Sequence, residues 1–251
     1  AVGRNVEQFQ PGDEVFGDLF GCGFGAYTEY VSVPENALSL KPANLSFEEA
    51  AAVPEAASVA LQALRDKGQI QKGQKVLIYG ASGGIGTFAV QLARYFEAEV
   101  TGVCSTANLD LVRSLGADHA IDYTKEDYTQ NGQRYDLIFA IASRSIYDHE
   151  RALSSQGIYV SSGSPSLARV YQDLVIGGRL TKPGGRKLVG GWTVIPNKDL
   201  PFIKELIEAG QLKPVIDKRY PLSAASEALH YYAQGHTRGK VVITMEHSNK
   251  T

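Results

Sequence analysis

Val76-Leu77-Ile78-Tyr79-Gly80-Ala81-Ser82-Gly83-Gly84-Ile85-Gly86 decides how this chain folds. The four apolar residues bounded by glycine have the look of a strand buried on both faces. Beyond the glycines, Ile85, Phe88, Ala89, Leu92, Ala93 and Phe96 recur at helical spacing. Strand, glycine turn and helix in that order form the phosphate-binding unit of a doubly wound α/β fold. Gly83 would let the backbone approach a pyrophosphate, and Gly86 would let the helix pack closely on its strand. Ala81 stands where the fingerprint has its first glycine, so the motif is A-x-G-x-x-G. Free N–H groups and the positive dipole end at Gly84 would hold the phosphates. A tight turn without a ligand would use the same glycines; the strand-turn-helix context favours the dinucleotide.

The alternation continues outward. Strands are expected at 99–104, 119–121, 136–141 and 157–161, with helices at 108–115 and 146–153 between them. Strands alternating with helices imply a parallel sheet. Ser46 and Glu49 form a capping box, so a helix starts there; Pro54 breaks it, and a second helix runs from residue 55 toward 67. Residues 26–33 alternate apolar and polar, predicting a half-buried antiparallel strand, and 37–40 a shorter one. Further helices are expected at 200–209 and 224–233, and a last strand at 240–245. The lysines and arginine of 182–187 suggest a solvated basic loop.

The chain has 251 residues, 43% hydrophobic and 21% charged, with a net charge of −2 and a pI of about 6.3. That balance provides no drive toward nucleic acid or an anionic membrane, and no apolar run approaches a bilayer span. Two distant cysteines, Cys22 and Cys104, suit a reducing compartment, with the cytoplasm as default. The five histidines have no metal-ligand spacing, so no metal site and no catalytic residue is assigned.

Seven segments in order carry a resemblance: Gly12-Asp13-Glu14-Val15, Gly25-Ala26-Tyr27-Thr28-Glu29-Tyr30, Ala50-Ala51-Ala52-Val53-Pro54, the glycine turn, Ser114-Leu115-Gly116-Ala117-Asp118, Tyr220-Pro221-Leu222 and Gly239-Lys240-Val241-Val242. Together they resemble the medium-chain dehydrogenase/reductase superfamily in its zinc-free quinone oxidoreductase branch. The resemblance implies a Rossmann-type doubly wound parallel sheet plus the remnant of a GroES-like β domain: residues 1–56 in that partial domain, 57–211 binding dinucleotide, and 212–251 returning to it. Family members begin with a longer stretch, so the chain resembles an N-terminally truncated member, with its catalytic residues unassigned, and is expected to bind cofactor poorly or moderately and to turn over little or nothing. The implied activity is zinc-independent, NADPH-dependent reduction of a quinone or of the C=C bond of an α,β-unsaturated carbonyl. A small-molecule substrate and a homodimer or higher homo-oligomer are expected. A non-catalytic, crystallin-like nucleotide-binding protein is the alternative. Short-chain dehydrogenases share the glycine pattern but need Tyr-x-x-x-Lys, which this chain lacks.

Zinc-dependent members carry four clustered cysteines in the loop that here holds only Cys22, and Pro54 stands at the catalytic cysteine position if Ser58 is the family's hydroxyl. The second strand ends in Cys104-Ser105-Thr106-Ala107-Asn108 with no acid for a ribose, so Ser105 and Thr106 hydroxyls would meet a 2′-phosphate. NADPH-dependent relatives often place lysine where Asn108 falls and tyrosine where Tyr123 falls. NADPH is therefore expected, with NADH also accepted. Ser105 and Asn108 would equally serve as caps of the next helix. By the family pattern Ser58 lies beside the nicotinamide, the backbone of Ala140, Ile141, Ser161, Ser162 and Gly163 lines its ribose, and Lys240 approaches the pyrophosphate.

Overall fold

The computed structural model describes residues 1–162, 181 and 184–245. It divides into two compact units, Val59–Val194 and, made of two separate stretches, Ala1–Ser58 with the described residues from Ile195 onward.

The continuous unit is built on six parallel strands: β3 (Lys75–Tyr79), β4 (Glu99–Cys104), β5 (His119–Asp122), β6 (Tyr135–Ala140), β7 (Leu153–Ser161) and β8 (Lys187–Val189), where β1 and β2 are the strands of the other unit. Their order across the sheet is β5-β4-β3-β6-β7-β8, and every neighbouring pair is parallel. The chain starts in the middle, runs to one edge, then returns and runs to the other, so the order reverses between β3 and β6, where doubly wound sheets bind ligands. Flanking helices are α3 (Gly84–Tyr95), α4 (Leu109–Ser114) and α5 (Ile146–Ala152). α3 packs on β3 and β4, and α4 on β4 and β5. Val76, Leu77 and Ile78 are fully buried, as are Phe88, Ala89, Leu92 and Ala93 of α3, which is the pattern expected of a strand and helix sharing one core.

The discontinuous unit holds an antiparallel pair, β1 (Val15–Phe16) with β2 (Ser39–Leu40), and a parallel pair, β9 (Ile216–Pro221) with β10 (Lys240–Thr244). Ser46 caps α1 (Phe47–Ala51) as expected, its Oγ accepting from Glu49 N at 3.2 Å while Glu49 Oε2 accepts from Ser46 N at 2.9 Å. α6 (Leu200–Glu208) packs near β2 and α7 (Ala225–Ala233) near β10. α2 (Pro54–Gln62) begins at Pro54 itself, one residue before the expected start, crosses the boundary between the units, and ends in one π-helical turn, Ala63–Lys67.

Three expectations are corrected. Residues 26–33 form no strand; Tyr27 is 59% and Tyr30 88% exposed. No strand pairs with this stretch among the described residues, and an unpaired strand leaves its N–H and C=O groups to water. In 37–40, Glu35–Ala37 forms a 3-10 turn and only Ser39–Leu40 pairs. In the basic stretch, Lys182 and Pro183 lie outside the described residues; Gly184 and Lys187 are exposed, but Arg186 is part-buried and donates to Ser154 O, Leu153 O and Glu150 Oε1, while Lys187 opens β8 rather than a loop.

Candidate functional site: the glycine turn at the sheet's switch point

After Tyr79 the chain reverses at Gly80, whose φ of +94° suits glycine. Gly80 N and Ala81 N both donate to Val103 O, at 3.1 and 3.0 Å, tying the turn to β4, and Gly83 N closes it onto Gly80 O at 3.2 Å. The departure at Ala81 is absorbed locally: Gly80 supplies the positive φ, and Gly102 leaves room, since a Cβ there would lie 3.1 Å from Ala81 Cβ and 2.4 Å from Val112 Cγ1.

The two later glycines differ in what they respond to. A Cβ on Gly86 would lie 2.1 Å from Gly80 O and 2.8 Å from Ala81 Cα, so close helix packing requires that glycine. A Cβ on Gly83 would meet only Gly80 O, at 3.6 Å, and its φ of −79° and ψ of 176° are open to any residue. The protein's own packing does not require glycine at 83. No side chain caps α3, so the N–H groups of its first turn, over Gly84, Ile85 and Gly86, remain available to an anion.

Beside this turn, the ends of β3 and β4 bring Ser82, Ser105 and Asn108 together. Asn108 Nδ2 donates to Ser82 Oγ at 3.2 Å and Ser105 Oγ at 3.1 Å. Neither Ser105 nor Asn108 makes a side-chain cap, so the capping alternative is excluded: their polar atoms face each other and Ser82 instead. Thr106 gives its hydroxyl proton to Asp122, whose other oxygen accepts from Thr124 N at 3.0 Å and Thr124 Oγ1 at 2.7 Å. These bonds, that of Thr106 foremost, lower the Asp122 pKa to about 2. Asp122 is not legible in the sequence as a partner of this group, because it ends β5 and not β4. Tyr123 follows it, exposed, with its N–H on Cys104 O at 3.1 Å.

Across the switch point, Ile141 N donates to Tyr79 O at 2.9 Å and Ser162 N to Ala140 O at 3.0 Å, while Ser161 O accepts from Trp192 Nε1 at 2.7 Å. Ala140, Ile141 and Ser161 thus lie at the same end of the sheet as the turn; Gly163 lies outside the described residues. Beneath the sheet end is a buried group that sequence reasoning missed. His149 is fully buried, with Nδ1 2.6 Å from Tyr128 OH and Nε2 unpartnered among the described residues. Its ring stands edge-on to Tyr79 at 5.3 Å, and burial foremost lowers its pKa to about 3.

Ser58 and Lys240 belong to the discontinuous unit. Ser58 is buried on α2 with its Oγ unpartnered among the described residues. Lys240 Nζ lies 3.4 Å from Glu55 Oε2. Within this unit a cavity of about 260 Å³ is lined by Phe20, Phe24, Tyr27, Ala51, Pro54 and Glu55 among others. Asn197 pins the loop on its rim: Oδ1 accepts from Asp18 N at 2.7 Å and Nδ2 donates to Asp18 O at 2.8 Å.

Comparison with known proteins agrees with the fold. Residues 115–243 match a family model described as zinc-binding dehydrogenase. The chain is 35% identical to the 2-methylene-furan-3-one reductase of Solanum lycopersicum, over 96% of this chain and 60% of that protein. It is 33% identical to the chloroplastic NADPH-dependent alkenal/one oxidoreductase of Arabidopsis thaliana, over 96% of this chain and 60% of that protein. The solved quinone oxidoreductase from Coxiella burnetii superposes with a TM-score of 0.83 at 28% identity, over 96% of this chain and 75% of that one. The chain thus spans about 60% of the length of the two plant relatives. Ordered motifs, sheet order, glycine turn and these likenesses agree: the chain belongs to the medium-chain dehydrogenase/reductase superfamily, in its quinone and enone oxidoreductase branch.

Proposed function

We propose that this protein is a zinc-independent, NADPH-dependent oxidoreductase that reduces a quinone or the C=C bond of an α,β-unsaturated carbonyl, with NADH also accepted. The observation that supports the proposal is the contrast at the turn: Gly86 is demanded by packing, whereas a Cβ at Gly83 would meet only Gly80 O, at 3.6 Å, so glycine there leaves space for a ligand. The bound dinucleotide would supply a hydride from nicotinamide C4. The chain's own part is to hold and aim it. Gly83 and the N–H groups opening α3 face the pyrophosphate, Ser82, Ser105 and Tyr123 the adenosine ribose, and Ala140, Ile141 and Ser161 the nicotinamide ribose. Thr106 would reach a phosphate only by releasing Asp122. Ser58, Gly163 and Lys240 keep the nicotinamide and pyrophosphate roles that the family pattern assigns. The aromatic cavity near Phe20, Phe24 and Tyr27 suits a small planar acceptor.

Zinc independence is supported by the donor set. Pro54 cannot ligate, Cys22 stands alone in its loop, and Cys104 is buried with its thiol pKa raised to about 11 chiefly by burial. Two free cysteines also favour a reducing compartment such as the cytoplasm. Among the described residues no helix is long and apolar enough to cross a membrane. The exposed Phe24, Tyr27 and Tyr30 favour a homodimer or higher homo-oligomer, which light scattering tests. The functional test is titration with NADPH and NADH followed by NADPH oxidation with quinones and enones. Binding with turnover supports the proposal, no binding refutes both it and the non-catalytic alternative, and the same hydride-transfer assay on the complete gene product separates the two.

A further inference from the structure

We propose that Asn108 is a positioning residue: by donating to Ser82 and Ser105 it turns both hydroxyl protons outward and sets the preference of the site for NADPH over NADH. The inference rests on the reading that the glycine turn holds a dinucleotide.

An amide nitrogen donates and has no acceptor capacity. Asn108 Nδ2 lies 3.2 Å from Ser82 Oγ and 3.1 Å from Ser105 Oγ, so each hydroxyl is used as an acceptor and keeps its single proton free. Neither hydroxyl donates to another group among the described residues. Both serines are half-buried at the carboxyl ends of β3 and β4, on the edge where the sheet takes ligands. Two parallel O–H donors suit an oxyanion with several acceptor oxygens. The neighbouring acid does not compete for them, because Thr106, Thr124 and Lys125 occupy Asp122.

Asn108 itself is placed at a cost to stability. Only 9% exposed, it leaves Oδ1 buried without a partner among the described residues, an arrangement that weakens a fold. An apolar side chain would fill the space without that penalty, so the position answers to the hydroxyls it directs. Discrimination here works through the direction of two dipoles.

Asn108→Asp tests this, since it is nearly isosteric but offers only acceptors. Both hydroxyls would then donate inward, presenting lone pairs and an added negative charge to the ligand. Calorimetric titration of the full chain should show NADPH affinity falling roughly tenfold or more, with NADH affinity unchanged or higher. Equal loss for both cofactors would mark Asn108 as structural only and overturn the inference. Should Asn108→Asp fail to fold, the Ser82→Ala/Ser105→Ala double variant leaves the amide in place and should remove the preference for NADPH. An unchanged ratio there overturns the inference equally. If the unmodified chain binds neither dinucleotide, the underlying reading fails and takes this one with it; wild-type binding with unaltered ratios in the variants sinks the inference alone.

Discussion

Gly83→Val should separate binding from folding. Gly83 sits at φ −79° and ψ 176°, extended backbone that a β-branched residue adopts without strain. Its Cβ would meet only Gly80 O at 3.6 Å, an ordinary contact. Losing glycine at this helix cap costs a few tenths to about 1 kcal/mol, and restricting the unfolded chain returns about 0.4–1 kcal/mol. Stability should therefore change by less than about 1 kcal/mol. The ligand side is different, because the valine branches would occupy the place of a phosphate oxygen. Losing two charge-assisted N–H contacts at about 1.5–3 kcal/mol each weakens NADPH by roughly 10²-fold or more. Gly86→Ala is the opposite control: its Cβ would lie 2.1 Å from a backbone oxygen, and overpacking of this kind costs about 1–3 kcal/mol. Nicotinamide fluorescence reads the affinity and denaturant unfolding reads the stability. A Gly83→Val variant with wild-type NADPH affinity would refute the cradle.

His149 should make the fold acid-sensitive. Its folded pKa of about 3 lies below the unfolded value of about 6.5, so its contribution is complete above pH 6.5 and declines as pH falls toward 3, at up to about 1.4 kcal/mol per pH unit. His149→Leu should flatten unfolding free energy against pH in that window, and an unchanged slope would contradict it. Tyr128→Phe leaves both ring nitrogens of His149 unpartnered and should cost about 1–3 kcal/mol in denaturant unfolding. Ser105→Asp should shift preference from NADPH toward NADH by repelling the extra phosphate, read as a ratio of dissociation constants. Thr106→Val removes the principal hydrogen bond on Asp122, so that carboxyl should titrate at higher pH in an NMR titration.

The central unit was legible because its signals are local. An apolar run, a glycine turn and a helical stripe occupy one short stretch, and burial of Val76, Phe88 and Leu92 follows from them. Even the separate reason for Gly86 could be read from its place in the motif. Features that depend on distant partners were not legible. Residues 26–33 have the alternation of a strand, but alternation describes a face and says nothing of whether a neighbour exists to pair with. β9 escaped notice for the converse reason: Asp217, Lys218 and Arg219 hide a strand whose ladder with β10 supplies the order. His149 sits among Tyr147, Asp148, Glu150 and Arg151, which look solvent-facing, and its burial against Tyr128 joins residues from separate elements. The Ser82, Ser105 and Asn108 group is half visible in the sequence: the polar residue types stand out, but that one amide donates to two hydroxyls depends on how the ends of two strands come together.

The division of one unit into two stretches has a consequence during synthesis. Asn197 holds Asp18 across most of the chain's length, so the loop around the aromatic cavity cannot be fastened until Asn197 has left the ribosome. All of Val59–Val194 emerges first. At the ~5–20 residues per second of translation, that is a delay of roughly 7 to 27 seconds. Throughout it Phe20, Phe24 and Tyr27 precede an already closing sheet without the Asn197 pin on their loop, and a chaperone that binds aromatic segments would meet the nascent chain there.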